Sequence, residues 1–190
     1  MTASAFSMPQ CKQYRYDHLA KPNSNRELYR IMWRVIDSLY GGNIACDEPP
    51  TELDVVTRLF KIEQDLVEWQ KHLPLNMRLR SSQDILAFDR DGDPLIERYR
   101  IILTLRYHNI RVLLHRPILV KFLDISNEQH KKSQEPAFSQ HIGFNSLRIC
   151  IQSSEEIISM VYTLVTATAP AGSSQHGILG AWWFSLYYST

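Results

Sequence analysis

The sequence has few of the residues on which metal sites, nucleotide sites and membrane helices depend. Its 190 residues include three cysteines, Cys11, Cys46 and Cys150, and their wide spacing excludes a disulfide framework and a CxxC-type zinc site. The seven glycines are too few and too scattered to build a phosphate-binding loop. No stretch reaches the roughly 20 apolar residues that a membrane span needs. We therefore expect no membrane association.

An excess of either charge is also absent. The 21 Lys and Arg residues nearly balance the 20 Asp and Glu residues, so the net charge of +1 does not indicate a generally basic nucleic-acid binder. Six basic residues and no acidic ones occur between positions 98 and 121, but on a helical wheel they scatter around all sides. The 44% hydrophobic content is typical of a globular chain.

Hydrophobic periodicity predicts an all-α fold of several irregularly packed helices. Ser24 and Glu27 form a possible capping box for a first helix that ends near Gly41. Residues 1–22 are then a loose lead-in, and residues 23–190 form the domain. Thr51 is expected to cap a second helix that extends to residue 72. Its main stripe consists of Val55, Leu59, Ile62, Leu66, Trp69 and Leu73. A second stripe of Leu53, Val56, Phe60 and Val67 predicts contacts on two sides.

The second half of the chain predicts two more long helices. Residues 94–114 are apolar on most faces, which indicates a buried central helix. Pro117 is expected to break it, with a short new element over residues 118–123. A last helix is predicted over residues 145–168. The intervening stretches 74–93 and 126–136 read as connectors.

The aromatic segment at residues 178–188 reads ILGAWWFSLYY. A large aromatic surface without partners is uncommon on a monomer, so we expect an incomplete domain. The alternative is that this segment folds back onto the core.

No catalytic or metal-binding motif is found. His108 and His115 are seven positions apart, whereas helical metal ligation needs a spacing of three or four. The acidic segment 89–93 lacks the spacing of a calcium loop. GxSxG, HExxH and paired-carboxylate patterns are absent. We therefore predict that the chain is not an enzyme. Arg106 falls inside an apolar stripe and should need a buried partner or a route to water.

Three segments together resemble a known family. Residues 66–74 read LVEWQKHLP, residues 105–117 read LRYHNIRVLLHRP, and residues 28–40 form a helix ending in Leu-Tyr. This combination is similar to the fungal-specific transcription factor domain, also called the middle homology region of fungal zinc binuclear cluster transcription factors. The motif residues are Trp69, Leu73, Pro74, Tyr107, His108, Leu114, His115, Arg116 and Pro117.

We interpret these motif residues as positions that specify the fold. His115 and Arg116 are expected at a helix C-terminus, where exposed carbonyls and the dipole favour cationic donors. Tyr107 and His108 are expected to hydrogen-bond to the ends of neighbouring helices.

The resemblance implies part of a regulatory domain that controls RNA polymerase II transcription in the nucleus and responds to a protein partner or a small-molecule effector. In the family, DNA binding and zinc belong to a separate module with six closely spaced cysteines. That pattern is absent from these residues, so the resemblance implies no cofactor in this chain and DNA contact only through a missing module. The alternative is a stand-alone helical protein-interaction module without DNA binding, which would use the surface around Trp182, Trp183 and Phe184.

Overall fold

The fold is all-α. The computed structural model describes residues 10–41, 51–86, 93–128 and 137–166, and no strand occurs in these ranges. The helices are α1 (Gln10–Tyr40), α2 (Glu52–Lys71), α3 (Ser82–Leu86), α4 (Pro94–Glu128) and α5 (Ala137–Thr166), with a 3₁₀ turn at Leu75–Met77. Within these ranges, no helix combines the length and apolar character needed to cross a bilayer. The acidic segment 89–93, except for Asp93, and the aromatic segment 178–188 lie outside the described residues.

Helix α2 begins where its sequence predicts. The Thr51 hydroxyl accepts a hydrogen bond from the Asp54 backbone N–H, and the Asp54 carboxylate accepts one from the Thr51 N–H at 3.2 Å. Hydrogen bonds donated to the Asp54 carboxylate by the Thr51 hydroxyl and by the Thr51 backbone N–H lower the pKa of that carboxyl. The main stripe is buried at Leu59, Ile62 and Leu66, as its spacing predicted. The capping box thus fixes the register in which α2 presents its apolar face.

Cross-helix contacts define the directions of the long helices. Arg34 pairs with Asp65, and Arg58 donates to the Ser38 carbonyl, so α1 and α2 are antiparallel. The contact between Cys150 and the Val112 carbonyl is one of several that make α5 antiparallel to α4. Helix α4 contacts α1, α2 and α5, which confirms the prediction of a central buried helix.

Two hydrophobic clusters share α4. The larger cluster joins α1, α2, the 3₁₀ turn and α4, and the smaller one joins α3, α4 and α5. Leu103 and Ile110 of α4 belong to the first, whereas Ile101 and Leu105 belong to the second. Since the helix is covered on opposite sides, its sequence is apolar around most of its circumference.

A buried carboxylate secures the segment between α2 and α4. Glu97 accepts two hydrogen bonds from Arg80, at 2.8 and 3.1 Å, and one from Arg100 at 3.3 Å. The Arg80 backbone N–H donates to Thr104, and the Ser82 N–H donates to Glu156 of α5. The predicted connector 74–93 therefore contains ordered structure, and its polar groups hold α3 against α4 and α5.

The predicted start of the first helix is wrong. Helix α1 begins at Gln10 and passes through the predicted lead-in 1–22, so Ser24 lies inside the helix and does not cap it. The upstream stretch contains good helix formers such as Lys12, Leu19 and Ala20, and the helix continues through Pro22 despite the backbone N–H that this proline lacks. The boundary at residues 22 and 23 falls within α1, and the division into lead-in and domain stays a prediction.

The predicted breaks in the second half are also wrong. Helix α4 continues through Pro117 to Glu128, so residues 118–123 belong to it and form no separate element. Helix α5 begins at Ala137, eight residues before the predicted start at 145. At Pro117, a hydrogen bond from another helix replaces the one that the proline cannot make. The Tyr40 hydroxyl of α1 donates it to the Leu113 carbonyl.

The second stripe of α2 does not pack as predicted. Val56 is buried, but Leu53, Phe60 and Val67 are exposed within the part of the chain that the structure describes. Helix α2 therefore contacts the described core mainly through one face.

Candidate functional site

The motif residues from two helices meet around Trp69. Its ring stacks on that of Tyr107, with 5.9 Å between centroids and 20° between planes. The Trp69 indole N–H donates to the Ser24 carbonyl of α1 at 2.9 Å, and the Tyr107 hydroxyl donates to Gln70 Oε1 at 3.0 Å. We call the residues Ser24, Trp69, Gln70 and Tyr107 the Trp69 junction. It ties α1, α2 and α4 together through aromatic contact and satisfied polar groups.

The prediction for Tyr107 is confirmed, because Gln70 lies in the last turn of α2. The burial of Tyr107 raises the pKa of its phenol, against a smaller opposite effect of Arg111. The Arg111 guanidinium lies 5.8 Å from the centre of the Tyr107 ring. The phenol is therefore held neutral and serves as a hydrogen-bond donor.

Next to the junction, α1 and α2 enclose an open cleft of about 490 Å³. Its walls combine the edge of Trp69 with charged and polar side chains, and the Arg34–Asp65 pair crosses it. The remaining lining residues are Ser24, Glu27, Arg30, Ile31, Glu68, His72 and Pro74. The cleft therefore offers groups of both charges beside one apolar surface.

A second group of motif residues lies at the contact of α2, α4 and α5. His115 Nδ1 is 3.2 Å from the Ser146 hydroxyl, and His115 Nε2 is 3.6 Å from Glu63 Oε1. The second distance is too long for a hydrogen bond, so His115 Nε2 faces the Glu63 carboxylate and has no hydrogen-bond partner among the described residues. Interaction with His115 lowers the pKa of the Glu63 carboxyl, whereas burial opposes that effect. We call Glu63, His115 and Ser146 the His115 cluster.

The His115 cluster contains the residue types of a serine hydrolase triad but lacks access to substrate. Side-chain exposure is 0% for His115, and Ser146 is 1% exposed. A nucleophilic serine must reach a carbonyl carbon, and this one is enclosed between helices. The cluster therefore links three helices, and its geometry does not support hydrolysis.

The expectation that His115 and Arg116 lie at a helix C-terminus is wrong. Both residues are inside α4, which continues to Glu128. His115 is buried because Glu63 and Ser146 provide polar contacts for its ring, whereas Arg116 is exposed to solvent. These partners are 52 and 31 positions away in the sequence, so local spacing gave no sign of them.

His108 does not make the hydrogen bond expected of it. Its Nδ1 is buried and has no hydrogen-bond partner in the described part of the chain. Burial, reinforced by the nearby Arg111 charge, lowers the pKa of His108 to about 4. The ring is therefore neutral at physiological pH and packs edge-on against Tyr107.

The other motif residues take structural positions. Leu73 and Leu114 are buried in the larger hydrophobic cluster, and Pro74 precedes the 3₁₀ turn. Pro117 lies in mid-helix. The prediction for Arg106 is confirmed, because it donates to Asn25 at 2.9 Å and lies 4.8 Å from the centre of the Tyr29 ring.

No set of three or more metal-ligating side chains converges among the described residues. Sequence reasoning missed Glu63, Ser146 and Gln70, and it assigned Ser24 to a helix cap. The carbonyl of Ser24 and the side chains of the other three make the contacts that join the helices. None of these four contacts carries a local sequence signal, because each joins residues of different helices.

Comparison with known proteins connects the chain with fungal regulators. It is 26% identical over 163 residues to "Transcription factor FBD3" of Gibberella moniliformis, covering 85% of the chain and 21% of that protein. The protein of the same name from Fusarium pseudograminearum is 27% identical over 164 residues. "Sorbicillinoid biosynthetic cluster transcription factor 2" of Penicillium rubens is 26% identical over 128 residues, 67% of the chain and 17% of that protein.

The chain thus spans about a fifth of the length of the first two relatives. No family model and no solved structure matches it.

Proposed function

We propose that this chain is a segment of the helical regulatory domain of a fungal transcription factor, acting in the nucleus in the control of RNA polymerase II transcription. The observation that carries the proposal is similarity over 85% of the chain to proteins named as transcription factors. A non-enzymatic role agrees with the burial of the His115 cluster, whose serine and histidine a substrate cannot reach.

The positions of the motif residues support the assignment to the fungal-specific domain. The tryptophan-to-proline motif of α2 and the tyrosine-to-proline motif of α4 meet at the Trp69 junction, where they hold three helices together. Because these motif residues join α1, α2 and α4, we expect to find them in other proteins that pack the same three helices together.

DNA binding and zinc lie outside these residues in this proposal. A zinc binuclear cluster needs six closely spaced cysteines, and the chain has three that are far apart. In this proposal, promoter recognition belongs to another part of a longer protein, and this segment adjusts the level of transcription.

The mechanism we propose is a shift between two arrangements of the helices, driven by an effector or a protein partner. A ligand moves such an equilibrium only by its differential affinity for the two states. The cleft between α1 and α2 is the effector site in this proposal, because it lies beside the Trp69 junction and is lined by both helices.

A reporter experiment tests the regulatory role. The chain is inserted between a heterologous DNA-binding domain and an activation domain, and reporter output is compared with the same fusion lacking it. A change in output is expected, and Trp69→Ala, which disrupts the junction, should abolish the change. Equal output from all fusions, or exclusion of a tagged chain from the nucleus, contradicts the proposal.

A thermal-shift screen with metabolites and candidate partner proteins tests the effector mechanism. A ligand that binds only the folded state raises the melting temperature with its concentration. Replacement of Arg30, which lines the cleft, by Glu should remove a shift caused by binding there. The effector mechanism fails if no ligand or partner shifts the melting of the wild-type chain.

A further inference from the structure

Helix α5 carries an exposed apolar stripe that no described residue covers. It comprises Phe144, Ile151, Ile158 and Tyr162, which are between 48% and 68% exposed. The first three recur every seven residues and Tyr162 follows one turn later, so all four share one helical face. The stripe extends over about 27 Å at 1.5 Å per residue. Only Phe144 has a described aromatic neighbour, Phe122, at 5.0 Å between ring centres.

Two charged residues of opposite sign lie on the same face. Arg148 precedes Ile151 by three positions, and Glu155 follows it by four. Both side chains are exposed, and Arg148 donates only to the neighbouring Asn145, at 3.1 Å, among the bonds of the described residues. The stripe therefore has an apolar centre at Ile151 with a positive group on one side and a negative group on the other.

This pattern is complementary to itself. If two α5 helices pair antiparallel about a two-fold axis next to Ile151, that residue meets its own symmetry mate. Phe144 then lies against Ile158, and Arg148 lies against Glu155 of the second copy. In a parallel pair, Arg148 of one copy and Glu155 of the other would lie about 10 Å apart along the helix axes, so these ion pairs would not form. Matching a surface with its own rotated copy is the condition for an isologous dimer interface.

We propose that the occupant of this stripe is a second copy of the chain. The two α5 helices pack antiparallel, and two Arg148–Glu155 pairs flank the central Ile151 contact. The apolar contacts supply affinity, and the charges select the antiparallel arrangement over the parallel one.

Charge reversal in the full chain tests the pairing. Sedimentation equilibrium should show a dimer for the wild type. Arg148→Glu and Glu155→Arg each create two like-charge contacts and should weaken the dimer about tenfold. The double variant restores opposite charges and should dimerise like the wild type. Lys61→Glu, an exposed reversal on α2, is the matched control and should change nothing.

Cysteine cross-linking tests the direction of pairing independently. In the antiparallel arrangement, Ile151→Cys brings two thiols within disulfide distance, whereas Ile158→Cys keeps them about 20 Å apart. We expect the Ile151→Cys variant to cross-link readily and the Ile158→Cys variant not to cross-link.

Three outcomes overturn the proposal: a monomeric wild-type chain, a double charge variant that fails to recover, or equal cross-linking at both positions. If the chain is monomeric and Cys at position 158 resists thiol reagents, another segment of the protein covers the stripe. Circular dichroism of each variant establishes that its fold is retained.

Discussion

The Tyr40 hydroxyl of α1 donates a hydrogen bond of 2.8 Å to the carbonyl oxygen of Leu113 in α4. In a regular helix, that carbonyl would accept from the backbone N–H of residue 117. Position 117 is a proline, which has no N–H to donate. A side chain from a neighbouring helix therefore satisfies the polar group that the proline leaves open, and α4 continues to Glu128.

Replacement of Tyr40 by Phe should leave the Leu113 carbonyl without its donor. This hydrogen bond is only partly buried, so its loss should lower the free energy of unfolding by about 0.5–1.5 kcal/mol, the net contribution of one hydrogen bond. Urea denaturation measures it. In a Pro117→Ala background, the new backbone N–H of residue 117 can donate to the Leu113 carbonyl. The free energy of unfolding should then fall much less on Tyr40→Phe. An equal cost in both backgrounds would show that the hydroxyl does not compensate for the proline.

Two serines of α5 form a matched pair for testing the His115 cluster. Ser146 and Ser153 are equally buried and seven positions apart, but only Ser146 bonds to His115, at 3.2 Å. The Ser153 hydroxyl has no partner among the described residues. Ser146→Ala should lower the free energy of unfolding by about 1–2 kcal/mol, whereas Ser153→Ala should be neutral or stabilising. Thermal and urea melts compare them, and similar losses at both positions would refute the distinction.

Gly143 of α5 allows close contact with Phe122 of α4. A Cβ at position 143 would lie 3.0 Å from the Phe122 Cβ and closer still to its ring. Gly143→Ala should therefore destabilise the chain by about 1–3 kcal/mol through overpacking. Phe122→Ala should recover part of that loss when combined with it. If Gly143→Ala unfolds at the same urea concentration as the wild type, the two helices are not in contact there.

His108 should make stability depend on mild acid. Its folded pKa is about 4, below the ordinary value of 6.5, because burial disfavours the charged ring. Between these two values the unfolded chain binds more protons, so stability rises with pH across this window and is lost as pH falls through it. We expect a contribution of about 2 kcal/mol, less than full conversion of the shift, because the ring keeps some contact with solvent.

The variant His108→Gln keeps a polar group but does not titrate. The slope of the free energy of unfolding between pH 4 and pH 6.5 should flatten in this variant. His141, which is exposed on α5, is the matched control, and His141→Gln should keep the wild-type slope. An unchanged slope in His108→Gln would assign the acid sensitivity to other groups.

The parts of the fold that depend on local sequence were predictable. The apolar stripe of α2 follows from helical spacing. The cap follows from the hydrogen bond between the Thr51 side chain and the backbone N–H of Asp54, three residues later. The predicted helix break at Pro117 and the predicted helix cap at Ser24 were wrong. Contacts with other helices override the local preferences of these two residues. The His115 cluster joins three separate helices, so no pattern within one of them indicates it.

The two hydrophobic clusters alternate along a single stretch of α4, because Ile101 and Leu105 face one side while Leu103 and Tyr107 face the other. Neither cluster can unfold without loosening the turns of α4 that also support the other cluster. Amide hydrogen exchange in this stretch should therefore be the slowest in the molecule and should report global unfolding. Since both clusters pack on the same turns of α4, we expect a change in the packing of α1 and α2 to alter hydrogen exchange in α5 as well.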